Sequence, residues 1–276
     1  MKTALAIAGS DCSGGAGIQA DLKTMTMNGV YGMSAITALT AQNTVNISDV
    51  APVKGDFLAE QLDQVFTDIR PDAVKVGLIT SPELIEIVAR KLQQYEAQNV
   101  VMDLVLIAAS GRQLVSEEAL DTLSEELLQL ADVITPNIPE AEVLVDMDIE
   151  SEDDMEKAAK RLHDMYGCAV VLKSGHHLPE NEDLLYTDDG GMWFRGLHGP
   201  ERAEKRTPHG TGCTFSSAIA SNLAKGFPLE EAVRRARDFV EEALDAEFHP
   251  GAGLAVMDHS FALNGKYAEF PKGEEE

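Results

Sequence analysis

The chain has 276 residues, with 47 acidic against 22 basic side chains and a formal net charge of −25. Such a surface repels nucleic-acid phosphates and anionic bilayers, so neither is an expected partner, and any anion site must depend on local donors and metal. The three cysteines, Cys12, Cys168 and Cys213, are too few and too scattered for a disulfide framework or a metal knuckle, and suit a reducing cytoplasm.

The apolar run Ala4–Ala8 is short and leads into a glycine turn, so it reads as a first strand and not as a signal peptide; no run is long enough to span a bilayer. Gly9-Ser-Asp-Cys-Ser-Gly-Gly-Ala-Gly17 follows. Residues 18–28 then read as a helix with Ile18, Leu22 and Met25 on one face. Strand, glycine loop and helix are the opening half of a βαβ unit, although the glycine spacing is not that of a dinucleotide fold. Asp21 lies within this helix.

A second strand spans 32–41 and ends at Gln42, the end where parallel sheets place ligands. A Gln amide offers a donor beside an acceptor. A helix is expected over 57–69, a strand over 73–79, a helix over 82–96 and a strand over 99–103. Leucine spacing predicts a helix over 119–130. Pro136 and Pro139 bar a regular helix before Glu140. A charged helix over 153–166, a strand from 169 ending near Lys173 and a hairpin around Thr187-Asp-Asp-Gly-Gly191 complete the alternation. The adjacent His176 and His177 share no carboxylate spacing and are not read as a metal site.

Thr207-Pro-His-Gly-Thr-Gly-Cys-Thr-Phe-Ser216 is the most informative stretch. Gly210 and Gly212 permit tight turns, Thr214, Ser216 and Ser217 suit a helix first turn, and Phe215, Ile219 and Leu223 mark one face. A glycine turn opening on a helix N-terminus is an anion site. Cys213 sits at its mouth, where the helix dipole is expected to lower a thiol pKa. His209, beside it, is read as structural. A long helix over 229–246 follows. The tail 271–276 is expected to be disordered, and with no repeat or linker residues 1–270 read as one domain.

Several of these stretches, in order, resemble the hydroxymethylpyrimidine kinases of the ribokinase-like superfamily. They are the loop from Gly9 to Gly17 running on to Asp21, Ala41-Gln-Asn-Thr44, Lys75-Val-Gly-Leu78, Thr135-Pro-Asn-Ile-Pro-Glu-Ala141, Lys173-Ser-Gly-His176 and Gly210-Thr-Gly-Cys213. The resemblance implies a three-layer α/β/α sandwich with a mostly parallel central sheet, ATP as co-substrate, Mg²⁺, and a cytoplasmic homodimer. It implies phosphorylation of 4-amino-5-hydroxymethyl-2-methylpyrimidine and then of its monophosphate, for thiamine synthesis. Residue by residue it places Gly9, Asp21, Gln42 and Leu78 at the substrate, Asn137, Lys173 and Thr211 at ATP phosphates, Glu140 and Asp103 at the metal, and Gly210, Thr211, Gly212 and Cys213 at the chemistry. Cys213 would act as general base. Leu78 stands where the family has Met, Leu104 where it has Pro or Thr, Ser174 where it has Gly, and Ala109 where it has Lys; the last puts the full catalytic rate in question. Pyridoxal kinases share this fold but tend to differ at Gln42. A pyridoxal kinase and a non-catalytic pyrimidine-binding descendant are the alternatives.

Overall fold

The structure, a computed structural model, describes residues 1–106, 115–175, 182–194 and 208–263. Readings that involve Ala109, Ser110, Gly111, His176, His177, Thr207 and the tail 271–276 lie outside those residues.

Among the described residues, nine strands form one sheet: β1 (Thr3–Asp11), β2 (Tyr31–Gln42), β3 (Ile47–Pro52), β4 (Ala73–Val76), β5 (Val100–Met102), β6 (Val133–Ile134), β7 (Ala169–Leu172), β8 (Asp183–Thr187) and β9 (Gly190–Phe194). Their spatial order is β3-β2-β1-β4-β5-β6-β7-β8-β9. The β2, β1, β4, β5, β6 and β7 strands run parallel; β3 pairs antiparallel with β2 at one edge, and at the other β8 pairs antiparallel with both β7 and β9. The central strands are apolar runs because both faces are covered, and Ala4 to Ile7 have no exposed surface.

One face carries α2 (Gly55–Asp68), α3 (Pro82–Gln94), α4 (Glu117–Thr122), α5 (Ile138–Val145) and α6 (Glu152–Tyr166), packed through residues such as Leu58, Leu62, Ile85, Ala119 and Leu162. The other carries α1 (Gly17–Met27), α7 (Thr211–Ala224) and α8 (Leu229–Asp245), through Met25, Ile219, Val233 and Ala236. Each fully buried Leu or Ile contributes about 1.5–3 kcal/mol. Local chemistry sets the helix ends. Ser81 and Ser151 accept the backbone N–H of Leu84 and Asp154, and Gly167 in the left-handed region closes α6.

Three elements differ from the sequence reading. The edge strand β3 was not foreseen: Ser48, Asp49 and Pro52 weaken its strand signal, and it forms because β2 extends far enough to pair with it. The segment after α4 changes pitch, through a wide turn at Leu123–Leu127 and a tight one at Leu128–Leu130, which leaves both Leu127 and Leu128 in the core. Pro139 does not delay the helix to Glu140. It occupies the first turn of α5, where its missing N–H costs nothing.

The strand order reverses between β1 and β4. The crevice beyond the carboxyl ends of those strands is where open α/β sheets bind ligands. Asp11, Gln42, Leu78, Asp103, Asn137 and Lys173 all lie at or just beyond the carboxyl ends of the parallel strands.

Candidate active site

The α7 helix starts earlier than its glycines suggest. Gly210 is its N-cap, with φ +91°, and Thr211, Gly212 and Cys213 are its first three residues; the first intrahelical bond runs from the Thr214 N–H to the Gly210 carbonyl. The backbone N–H groups of Thr211, Gly212 and Cys213 therefore face the crevice at the positive end of the helix. Gly210 is required twice, because its φ is unfavourable for other residues and because a Cβ there would lie 1.9 Å from the Gly15 carbonyl oxygen. The anion turn thus rests directly on the loop between β1 and α1.

That loop is folded round Asp11. Its Oδ1 accepts from the Ser13 N–H and hydroxyl at 2.8 and 2.7 Å, and its Oδ2 from the N–H groups of Gly15 and Ala16 at 3.1 and 2.9 Å. His209, next to the anion turn, reaches the same Oδ2 at 3.0 Å and the Gln42 amide at 2.8 Å. Gly9 and Leu78 face each other, with the Gly9 Cβ position 3.5 Å from Leu78 Cδ2, and form an apolar wall at the carboxyl ends of β1 and β4.

Below the turn runs a row of buried charges. Lys75 Nζ donates to Asp21 at 2.9 and 3.1 Å and lies 3.9 Å from Asp103. Burial is the largest influence and pulls its pKa down; the charges of Asp21, Cys213 and Asp103 and the Asp21 hydrogen bond together outweigh it and hold the ammonium above the ordinary lysine range. Lys173 lies 3.4 Å from the other Asp103 oxygen, and the Gly212 Cβ position is 3.6 Å from both groups. Burial opposes the charge on Asp103, but Lys173 and Lys75 hold its pKa below the usual range. Glu140 closes a capping box with Asn137 and accepts the Leu106 N–H at 3.4 Å; burial pushes its pKa up to about 7. Asn137 pairs through its backbone with Lys173.

Two expectations change here. Asp21 does not line the crevice. It has no exposed surface, and its oxygens are occupied by Lys75 and by the Ser217 hydroxyl of α7 at 2.7 Å. Through Ser217 it holds α7. The pKa of the Cys213 thiol is not lowered but raised, to about 12. Burial is the main cause, and the charges of Asp21 and Asp103 add to it, while Lys75 and the Gly17 N–H act against them. The helix terminus alone would lower it; burial, with two carboxylates brought in by other elements adding to it, reverses the sign.

The sequence reading gave Lys75 and Ser217 no role at the site and passed over His259. A lysine inside the apolar run Ala73-Val-Lys-Val was the available signal for the first; nothing marked His259. The segment from Phe248 to His259 braces the turn. The His209 N–H donates to the Ala255 carbonyl, Gly253 and Leu254 donate to Thr44, and His259 Nε2 lies 2.9 Å from Thr214 Oγ1. Gly253 passes so close to Thr44 that a Cβ would lie 1.9 Å from its carbonyl oxygen.

Burial, with Lys23 adding to it and Asp258 opposing it, pushes the His259 pKa down to about 4 from 6.5. The ring is neutral in the folded chain where the unfolded chain would bind a proton. Its stability contribution is complete above about pH 6.5 and is lost as pH falls toward 4, by roughly 3 kcal/mol in total. Denaturant unfolding of the wild type minus that of His259→Gln should therefore shrink by about 2–3 kcal/mol between pH 7.5 and 4.5. A difference that does not change with pH would mean the ring is not held neutral.

A glycine-capped helix pointing at the switch point of a mostly parallel sheet, over a row of acidic and lysine side chains, defines a small-molecule phosphotransferase of the ribokinase-like class. The profile of the phosphomethylpyrimidine kinase family matches residues 11–258, and the chain belongs to that family. It is 45% identical over 258 residues to the hydroxymethylpyrimidine/phosphomethylpyrimidine kinase of Bacillus subtilis strain 168, covering 93% of this chain and 94% of that one. Against a bifunctional thiamine biosynthesis protein of Geobacter sulfurreducens, 46% identical, 94% of the chain matches and spans 52% of the longer protein. Among solved structures, the phosphomethylpyrimidine kinase of Clostridium difficile 630 superposes with a TM-score of 0.80 at 40% identity, over 88% of this chain and all of that one. The ADP complex of Bacillus subtilis pyridoxal kinase superposes with a TM-score of 0.86 at 36% identity, over 96% and 100%. No helix among the described residues is long and apolar enough to cross a membrane.

Proposed function

We propose that the chain transfers the γ-phosphoryl group of ATP to the hydroxymethyl oxygen of 4-amino-5-hydroxymethyl-2-methylpyrimidine, and then a second phosphoryl group to the resulting monophosphate. The observation that carries this reading is the convergence of the Thr211, Gly212 and Cys213 N–H groups with Asp103 and Lys173 beyond the carboxyl ends of β4, β5 and β7. Phosphoryl transfer needs little more than positioned donors and positioned charge.

The ring lies against Gly9 and Leu78, and Gln42 reads its amino and ring-nitrogen edge. The three N–H groups hold the oxygens of the migrating phosphoryl group, and Cys213 Sγ receives the acceptor's hydroxyl proton. Lys173 and the Thr211 and Asn137 side of the crevice face the nucleotide phosphates. Lys75 is the cation that favours a thiolate at Cys213, and Asp21 keeps Lys75 and α7 in register through Ser217. Mg²⁺ fits the donor set. Asp103 and Glu140 are both carboxylates that face Lys173, and Mg²⁺ takes oxygen ligands, keeps several of its waters and is bound through one or two carboxylates plus phosphates. Asp103 and Glu140 would hold it, directly or through water, and it would draw charge from the phosphate oxygens. A single kinase domain, a homodimer and a cytoplasmic location belong to the same proposal.

The test is coupled ADP release with the pyrimidine, its monophosphate or pyridoxal as sole acceptor. Release with the two pyrimidines and little with pyridoxal supports the reading. Release with pyridoxal alone assigns a pyridoxal kinase, and release with none leaves a ligand-binding descendant.

A further inference from the structure

The hydrogen bonds around Gln42 and His209 can be counted, and the count fixes an orientation that shape does not. As placed, the Gln42 amide nitrogen faces His209 Nε2 at 2.8 Å and its oxygen faces Thr40 Oγ1 at 3.2 Å. The same Nε2 lies 3.0 Å from Asp11 Oδ2, and Thr40 Oγ1 lies 2.9 Å from the Ser10 carbonyl oxygen. An amide keeps its outline when oxygen and nitrogen exchange, so partners decide which is which.

Asp11 decides the first partner. It already accepts from the Ser13 N–H and hydroxyl and from the N–H groups of Gly15 and Ala16, an environment for an ionised carboxylate. Burial alone would raise its pKa, but the bonds from His209 and Ser13 outweigh it and hold it at about 2. An ionised carboxylate only accepts, so His209 Nε2 carries a proton and donates to it. That nitrogen then has no lone pair to offer an amide N–H. The end of Gln42 that faces it is the carbonyl oxygen, which shares the same proton with Asp11. Thr40 gives the same answer separately. Its hydroxyl has one proton, and the Ser10 carbonyl can only accept it. Thr40 Oγ1 must accept from Gln42, so the amide NH₂ group faces Thr40.

We infer that His209 is a specificity-positioning residue, which locks the Gln42 amide with its oxygen toward the anion turn and its nitrogen toward Thr40. The inference rests on the reading of Gln42 as the residue that meets the ring edge. A locked amide prescribes the order of donor and acceptor on that edge. An aminopyrimidine offers an amino donor beside an acceptor ring nitrogen. Its 4-oxo analogue offers the reverse, a carbonyl acceptor beside a ring N–H, and meets like against like. A Gln42 free to turn over would accommodate both.

The experiment compares kcat/KM for 4-amino-5-hydroxymethyl-2-methylpyrimidine and for its 4-oxo analogue, by ADP release, in the wild type, His209→Leu and His209→Gln. The wild type should prefer the amino compound by about 100-fold or more, as sites built on hydrogen bonds do. His209→Leu should cut that ratio at least about tenfold with the KM for ATP unchanged, and His209→Gln, which keeps an N–H donor, should retain it. A purely structural role would lower both rates and leave the ratio alone, and that result overturns the inference. Where His209→Leu does not fold, isotope-labelled wild type answers the question by NMR. The Gln42 amide protons should show stronger nuclear Overhauser contacts to the Thr40 methyl than to the His209 ring, and the opposite ranking overturns the inference. Equal turnover of both pyrimidines by the wild type removes the inference alone; turnover of neither removes the functional reading and the inference with it.

Discussion

Cys213→Ser should lower kcat by about 10²–10⁴-fold, the range a positioned general base contributes, while the melting temperature and the KM for ATP stay close to wild type. The substitution keeps the size of the side chain and all three N–H groups at the start of α7, so positioning of the phosphoryl group survives. What it removes is the group able to hold the acceptor's proton. The margin is narrow even in the wild type. Burial and the charges of Asp21 and Asp103 raise the thiol to about 12, against the pull of Lys75 and the Gly17 N–H. A serine hydroxyl, far weaker as an acid than a thiol, has no such route to its anion. Steady-state kinetics alongside a thermal melt decide the matter: a folded serine variant with kcat within about tenfold of wild type would remove Cys213 from the chemistry.

Lys75→Met should cost about 3–5 kcal/mol of folding stability, a third or more of what a domain commonly has. The ammonium has no exposed surface and is the near neighbour of two buried carboxylates, 2.9 Å from Asp21 and 3.9 Å from Asp103. A methionine fills much of the same space and carries no charge, so Asp21 is left without its ion pair in the interior. Removing the carboxylate as well relieves the problem. The double variant Lys75→Met, Asp21→Leu should be less destabilised than the sum of its parts, by roughly 0.5–3 kcal/mol. Urea unfolding of the wild type, both single variants and the double variant measures that coupling; simple additivity would show that the pair does not act as a unit.

Much of this architecture was legible in the sequence because the core is organised by periodicity. Apolar runs with both faces covered mark β1 and β4, the Leu58, Leu62 and Phe66 stripe marks α2, and the helix expected from residue 82 is α3. The glycine loops pointed to the right end of the sheet. The gaps share a physical cause: they depend on groups that meet only after folding. The thiol of Cys213 reads as acidic from its place on a helix and becomes the reverse once folding buries it, with Asp21 from α1 and Asp103 from the end of β5 adding to the effect. Asp21 reads as a substrate contact, and the structure spends it on Lys75 and Ser217. The start of α7 was placed too late because Gly210 and Gly212 look alike as letters. In space one is a left-handed cap pressed on Gly15, and the other is an ordinary helical residue.

The brace formed by residues 248–259 has a consequence for how the enzyme is made. Every strand and helix named above is complete by Asp245, so a growing polypeptide can assemble sheet and helices while synthesis continues. The contacts to Thr44, His209 and Thr214 arrive only with the residues that follow. A nascent chain halted before Phe248 would therefore carry the scaffold of a kinase without a finished anion turn, and phosphate chemistry would begin only once the ribosome had delivered that last span.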